Sequence, residues 1–225
     1  MTIAVLGTGA VGRALAGRLD ELGHDVVVGT RDPAATLARS TPDGTGATPF
    51  SAWRELHPGV ALATFADAAA AADLVVNASS GVAALEVLGL AGAANLAGKP
   101  LLDISNPLDF SAGFPPTLFV KDTDSLAEQL QRAFPQARVV KSLNTLTAEL
   151  MVHPESLGRS TTVFVSGDDA QAKARVVELL TSFGHDDVID LGGLETARGT
   201  EMLLPVWLRL MGALGTAQFN LKVVR

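Results

Sequence analysis

The chain contains no cysteine and no tyrosine. The first absence excludes disulfides, zinc-thiolate centres and cysteine nucleophiles. The second removes phenolic groups from the possible proton donors. Its four histidines, His24, His57, His153 and His185, stand far apart, with no pair at metal-ligand spacing. No stretch approaches the roughly 20 consecutive apolar residues of a membrane-spanning helix. There is no basic run, and 24 acidic residues outnumber 17 basic ones for a net charge of −7. That balance argues against nucleic acid or an anionic membrane as a partner. No basic stretch precedes the first apolar run, which therefore reads as a strand and not as a secretory leader. A cytoplasmic location is the expectation.

What is present is a core. Hydrophobic residues make up 48 % of 225, enough for one large domain or one domain with a small appended lobe. Short apolar runs alternate with segments of helical spacing. Thr2–Leu6 is a strand, Gly12–Leu22 a helix stopped at Gly23, and Asp25–Gly29 a second strand, which together form a βαβ unit. Further strands are expected at 60–64, 73–77, 101–105, 137–143, 161–166 and 188–191, with helices between them. A helix over 125–134 is expected to be capped by Asp124, and the next, over 169–183, to start at the Asp168–Asp169 pair. The segment 82–96 reads as helix broken by Gly89 and Gly92. Thr41–Pro49 reads as a loop and 110–123 as a proline-rich excursion. Pro205 should kink or divide the apolar helical stretch 196–214. The pattern predicts a doubly wound, mostly parallel α/β sheet covered on both faces, a Rossmann-type fold. Residues 1–145 are expected to form its dinucleotide-binding part and 146–225 a small C-terminal α/β lobe, or the two to make one continuous domain.

The motif Gly7-Thr8-Gly9-Ala10-Val11-Gly12 lies at the first strand-to-helix turn. Gly7 permits the turn, Gly9 lets backbone approach a pyrophosphate, and Gly12 lets helix pack on strand. Free N–H groups at the helix start would hold the phosphates. NAD-binding versions place a carboxylate at the end of the second strand, roughly 20 residues on. Here the strand ends Gly29-Thr30-Arg31. A guanidinium suits a 2′-phosphate, so NADP(H) is the expected dinucleotide.

Three other strand ends are polar: Asn77-Ala78-Ser79, Ser105-Asn106-Pro107 and Ser142-Leu143-Asn144. Pro107 should stop its strand and aim the Asn106 amide outward. In such sheets ligands lie at the carboxyl ends of the strands, so Asn77, Ala78, Ser79, Asn106, Pro107 and Asn144 are candidate cleft residues. His24 and His185 read as surface turn residues at the opposite edge. Lys141 is a possible cation near its strand end, though alternation would as easily turn it to solvent. No residue stands out as a catalytic acid. Hydride transfer to a ketone needs one, whereas a flavin-like ring delocalises the charge itself. The stretch around Trp207 reads as core or as a homodimer contact.

These blocks, together with Val139-Val-Lys-Ser-Leu-Asn-Thr145, Val165-Ser-Gly-Asp-Asp-Ala170 with Lys173, and Gly193-Leu-Glu-Thr-Ala-Arg198, resemble the NADPH:coenzyme F-420 oxidoreductases over nearly the whole chain. The resemblance implies hydride transfer between NADPH and the deazaflavin F-420, stacked in a cleft between the Rossmann part and the C-terminal lobe. It places Thr8, Thr30 and Arg31 at the 2′-phosphate and Asn144 beside the reacting rings. There are departures. Asn144 stands where the family often has histidine, and Ala35 where it often has a basic residue. The segments 39–58 and 110–122 are longer than the family pattern.

Overall fold

The computed structural model describes residues 1–41 and 48–225; most of the expected loop Thr41–Pro49 lies outside them. Ten strands are described: β1 (Thr2–Leu6), β2 (Asp25–Thr30), β3 (Ala61–Thr64), β4 (Leu74–Asn77), β5 (Pro100–Asp103), β6 (Leu108–Asp109), β7 (Thr117–Leu118), β8 (Arg138–Lys141), β9 (Thr162–Ser166) and β10 (Asp187–Gly192). Eight of them form one sheet in the order β10-β9-β8-β5-β4-β1-β2-β3, and β6 and β7 make a small hairpin. The sheet is parallel except between β8 and β9, which meet antiparallel at Lys141 and Ser166. The last two strands thus extend the same sheet that the first residues begin.

Alternation along the strands builds both faces. Ile3 and Val5 point to one core, with Leu15 and Leu19 of helix Ala10–Glu21 and Val176, Leu180 and Phe183 of helix Ala170–Phe183. Ala4 and Leu6 point to the other, under helices Phe65–Ala71, Ala84–Ala91 and Leu126–Ala133. Each such leucine contributes roughly 1.5–3 kcal/mol by burial. Among the described residues no helix is long and apolar enough to cross a membrane.

Local chemistry explains the helix ends, and two expectations need correction. Asp169 accepts from Ala172 N at 2.8 Å and starts its helix as expected. Ser125, not Asp124, caps Leu126–Ala133 by accepting from Glu128 N. Asp124 instead pairs with Arg132 at 2.8 Å. The break in 84–96 falls at Gly92, whose φ of +90° ends the helix, while Gly89 stays helical. Pro205 sits in the first turn of Leu204–Leu214, so the apolar stretch divides at Leu203.

Candidate active site

The glycine loop has the expected geometry. Gly7 adopts φ +133°, and a Cβ there would sit 2.7 Å from Ala78 O. A Cβ on Gly12 would lie 2.1 Å from Gly7 O, so helix and strand approach as closely as glycine allows. Gly9 differs: an added Cβ would meet nothing within 4 Å. Packing does not require glycine there, but a ligand backed against the loop would. Gly9 is also the N-cap of the 12-residue helix Ala10–Glu21, and no side chain caps it. The helix-start N–H groups thus remain for a phosphate. Arg13 Nε steadies the loop from behind by donating to Thr8 O at 2.8 Å, and its Nη1 donates to Thr48 O.

On one side of this loop lies a cleft of about 340 Å³, lined by Thr8, Thr30, Arg31, Asp32, Thr36 and Arg39 among others. Asp32 accepts from Ala35 N at 3.0 Å as the cap of helix Pro33–Ala38. It is a capping residue, which accounts for a carboxylate one position after Arg31. Thr30 is buried, and its hydroxyl pairs with that of Thr36 at 2.8 Å. Arg31 Nη2 meets Glu86 Oε1 at 2.7 Å, with both side chains largely exposed. Arg39 was not singled out from the sequence. One helix carries the chain from Arg31 to Arg39 and returns this second cation to the same cleft.

On the other side lies a cleft of about 400 Å³, walled by Val11, Val82, Leu108, Phe110, Leu146 and Met151, with Ala78, Ser79, Ser105 and Asn106 also in its lining. The strand ends that bear Asn77 and Asn106 therefore converge here. The Asn77 side chain is turned inward, while Asn106 is half-buried in the cleft lining. Asn77 is fully buried; its Nδ2 donates to Asp103 Oδ1 at 2.9 Å, and its Oδ1 accepts from Ser79 Oγ at 2.6 Å. Asn106 Nδ2 donates to Asn144 O at 2.9 Å, and Asn144 Nδ2 returns to Asn106 Oδ1 at 3.2 Å and to Thr200 O at 3.0 Å. Pro107 is buried behind them. Leu143, just before Asn144, holds φ +60°, a conformation that a branched side chain rarely adopts.

Lys141, whose direction the sequence left open, is fully buried. Its ammonium donates to Asp103 Oδ2 at 2.8 Å and Ser105 O at 2.5 Å, and it pairs with Glu201 Oε1 at 2.9 Å. Burial works against the ammonium charge, but the two carboxylates outweigh it and hold the pKa above the ordinary lysine value. His185 is also buried, with Nε2 against Met151 O at 3.0 Å, and is not the surface residue its turn suggested. Burial lowers its pKa. A cleft of about 540 Å³ at the opposite edge, bordered by Lys99, Arg138 and Arg175, lies at the amino ends of the strands. Ligands of such sheets bind at the carboxyl ends.

The chain is similar to proteins of known sequence and structure. The model of the family described as NADP oxidoreductase, coenzyme F-420-dependent, matches residues 2–107. A crystal structure from Arthrobacter sp. FB24, assigned as an F-420-dependent NADP-reductase, is 62 % identical over 99 % of both chains, with a TM-score of 0.93. A hypothetical protein from Sinorhizobium meliloti is 28 % identical over 86 % of each chain, with a TM-score of 0.67. Metalloreductase STEAP3 of Rattus norvegicus is 32 % identical over 91 % of this chain. The chain spans only 37 % of the length of that curated relative.

Proposed function

The chain belongs to the coenzyme F-420-dependent NADP oxidoreductase family, and from that premise we propose that it transfers hydride between NADPH and a deazaflavin of the F-420 type. The dinucleotide would lie across the carboxyl edge. Gly7, Gly9, Ala10, Val11 and Gly12 would cradle its pyrophosphate, and Arg31 and Arg39, with Thr8 and Thr30 in the same cleft, would take its 2′-phosphate. The nicotinamide would then fall in the 400 Å³ cleft beside Ala78, Ser79 and Asn106, with Asn144 buried behind Asn106. When bound, the dinucleotide supplies the hydride; the protein supplies the orientation.

One observation carries the choice of acceptor. Among the described residues, no Asp, Glu, His, Lys or Arg lines the cleft, whose walls are apolar. Three of its polar side chains, Ser79, Ser105 and Asn106, already hold neighbours. Ser79 Oγ and Ser105 Oγ each donate at 2.6 Å to a neighbour, and the Asn106 amide is spent on Asn144. Ser80 lies exposed at the rim. A carbonyl acceptor would find no placed acid for its alkoxide. A flat ring that spreads the charge needs none.

The test is NADPH oxidation by the purified protein with oxidised F-420, FMN and a ferric chelate as parallel acceptors. Fast turnover confined to F-420 supports the proposal, and turnover confined to another acceptor overturns it. The ferric chelate is included because of the likeness to a metalloreductase. We also propose a homodimer. Helix Leu204–Leu214 has eleven residues, most of them apolar, of which only Leu204 is buried. A second copy is the simplest cover for that face.

A further inference from the structure

The Asp103–Lys141–Glu201 cluster has the charge of three ions and the donors to define it. All three ammonium hydrogens have acceptors: Asp103 Oδ2, Ser105 O and Glu201 Oε1. Asp103 Oδ1 accepts from Asn77 Nδ2 at 2.9 Å, Ser105 N at 3.2 Å and Ser105 Oγ at 2.6 Å. Glu201 accepts from Leu126 N at 2.8 Å on Oε2 and Ala127 N at 3.1 Å on Oε1. Every carboxylate oxygen faces a donor, the hydrogen-bond pattern of two carboxylate anions. Two negative charges and one positive charge leave one net negative charge in the interior. The nearby Arg198 does not neutralise it, because its guanidinium is paired with Glu128 at 2.6 Å. The N-terminus of helix Leu126–Ala133 offsets part of the Glu201 charge. Asp103 has only neutral donors besides the shared lysine.

This charge stands directly behind the cleft. Ser105 lines the 400 Å³ cavity, and its hydroxyl reaches the Asp103 carboxylate. Asn77 binds the same carboxylate and, through its other amide atom, orients Ser79 in the cleft wall. The two loops that floor the cleft thus both hang on one buried anion.

We propose that the Asp103–Lys141–Glu201 cluster biases the bound dinucleotide toward its oxidised form, by setting a fixed negative field beneath the ring that becomes cationic when hydride leaves. The proposal rests on the dinucleotide reading given above. Its chemistry is simple: a dihydronicotinamide is neutral, and the nicotinamide left after loss of hydride to the acceptor carries one positive charge. A preorganised charge of opposite sign favours that product without reorganising. At an effective interior dielectric of about 20, one such charge near the ring changes the NADP⁺/NADPH preference roughly 3- to 30-fold. A burial this complete also shields the effect from salt.

Equilibrium binding tests it without any acceptor. Dissociation constants for NADP⁺ and for NADPH are measured on wild type, Glu201→Gln and Lys141→Met at low and at 0.5 M salt. Glu201→Gln removes a negative charge and should raise the ratio Kd(NADP⁺)/Kd(NADPH) by roughly 3- to 10-fold. Lys141→Met removes a positive charge and should move the ratio the other way. A cluster that only staples the fold would weaken both forms alike. Parallel losses with an unchanged ratio in Glu201→Gln therefore overturn the inference, even if Lys141→Met fails to fold. If wild type binds neither form, the dinucleotide reading itself fails and takes the inference with it.

Discussion

The guanidinium of Arg31 lies 2.7 Å from the carboxylate of Glu86, 55 residues away in the chain. The cation best placed to select a 2′-phosphate is held by a surface carboxylate at the start of the helix after β4. Both side chains are well exposed, so their pairing is weak and open to exchange. A phosphate, with more charge and a better fork for guanidinium, should displace the carboxylate.

Two dinucleotide affinities follow from that exchange. Arg31→Ala should weaken NADPH roughly 10- to 100-fold, the value of a charged hydrogen bond, and leave NADH nearly unchanged. Glu86→Gln should tighten NADPH by about two- to five-fold, because the competitor is gone. Arg39→Ala should fall in the same direction as Arg31→Ala with a smaller loss. Fluorescence titration with both dinucleotides reads all three, and equal losses of NADPH and NADH in Arg31→Ala would refute the assignment.

The glycine loop separates binding from folding. Gly9 has open space where a Cβ would go and an ordinary φ of −73°. Gly9→Val should keep the wild-type Tm within about 2 °C while dinucleotide binding disappears. Gly12→Ala forces a Cβ against Gly7 O and should lower Tm even in the absence of ligand. Calorimetry and titration on the same samples distinguish the two positions.

Acid sensitivity should trace in part to His185. Its pKa is lowered from 6.5 by burial, so the folded protein keeps it neutral. In the unfolded chain it takes up a proton as pH falls through 6.5. The unfolded state then binds more protons, and stability must drop as pH falls below that value. His24, also lowered by burial, adds to the same slope. Urea midpoints at pH 5.5 and 7.5 should differ less in His185→Gln than in wild type. An unaltered difference would show that other groups set the slope.

Lys141 is the most sensitive single position expected for stability. Removing one partner from a buried, fully bonded ion cluster leaves uncompensated charge and costs about 3–5 kcal/mol. Lys141→Met should lower the urea midpoint accordingly. A loss under about 1 kcal/mol would mean that the carboxylates take up a proton or admit water in its place.

The apolar face of helix Leu204–Leu214 gives an assembly prediction. Val206 on that face is 52 % exposed. Val206→Asp should convert a dimer to a monomer in analytical ultracentrifugation without changing Tm by more than a few degrees. A wild type that sediments as a monomer would remove the need for a partner on this face.

Much of this could be read from sequence because it is local. Strand, glycine turn and helix are neighbours in the chain, so their periods and the glycines at 7, 9 and 12 specify the phosphate loop. Thr30 and Arg31 end a strand already located by its own apolar run. Asp169 caps its helix, and Pro205 divides another, through rules that act within one turn. The alternation of strand and helix segments along the chain foretold a sheet buried on both faces. The remaining features depend on where distant segments meet. A central parallel strand is covered on both sides, so no periodicity tells which way Lys141 points. Its burial is tolerated only because Asp103 and Glu201, far off in sequence, arrive at its ammonium. Arg39 enters the cleft because a helix turns it back, the Asn106 amide is held in the cleft wall by Asn144, and His185 is buried because Met151 offers a carbonyl. Local propensity determined the frame and the dinucleotide loop. Tertiary packing decided which charges are buried and what each polar side chain has left to give a ligand, because a buried polar group takes its state from the partners the fold brings to it.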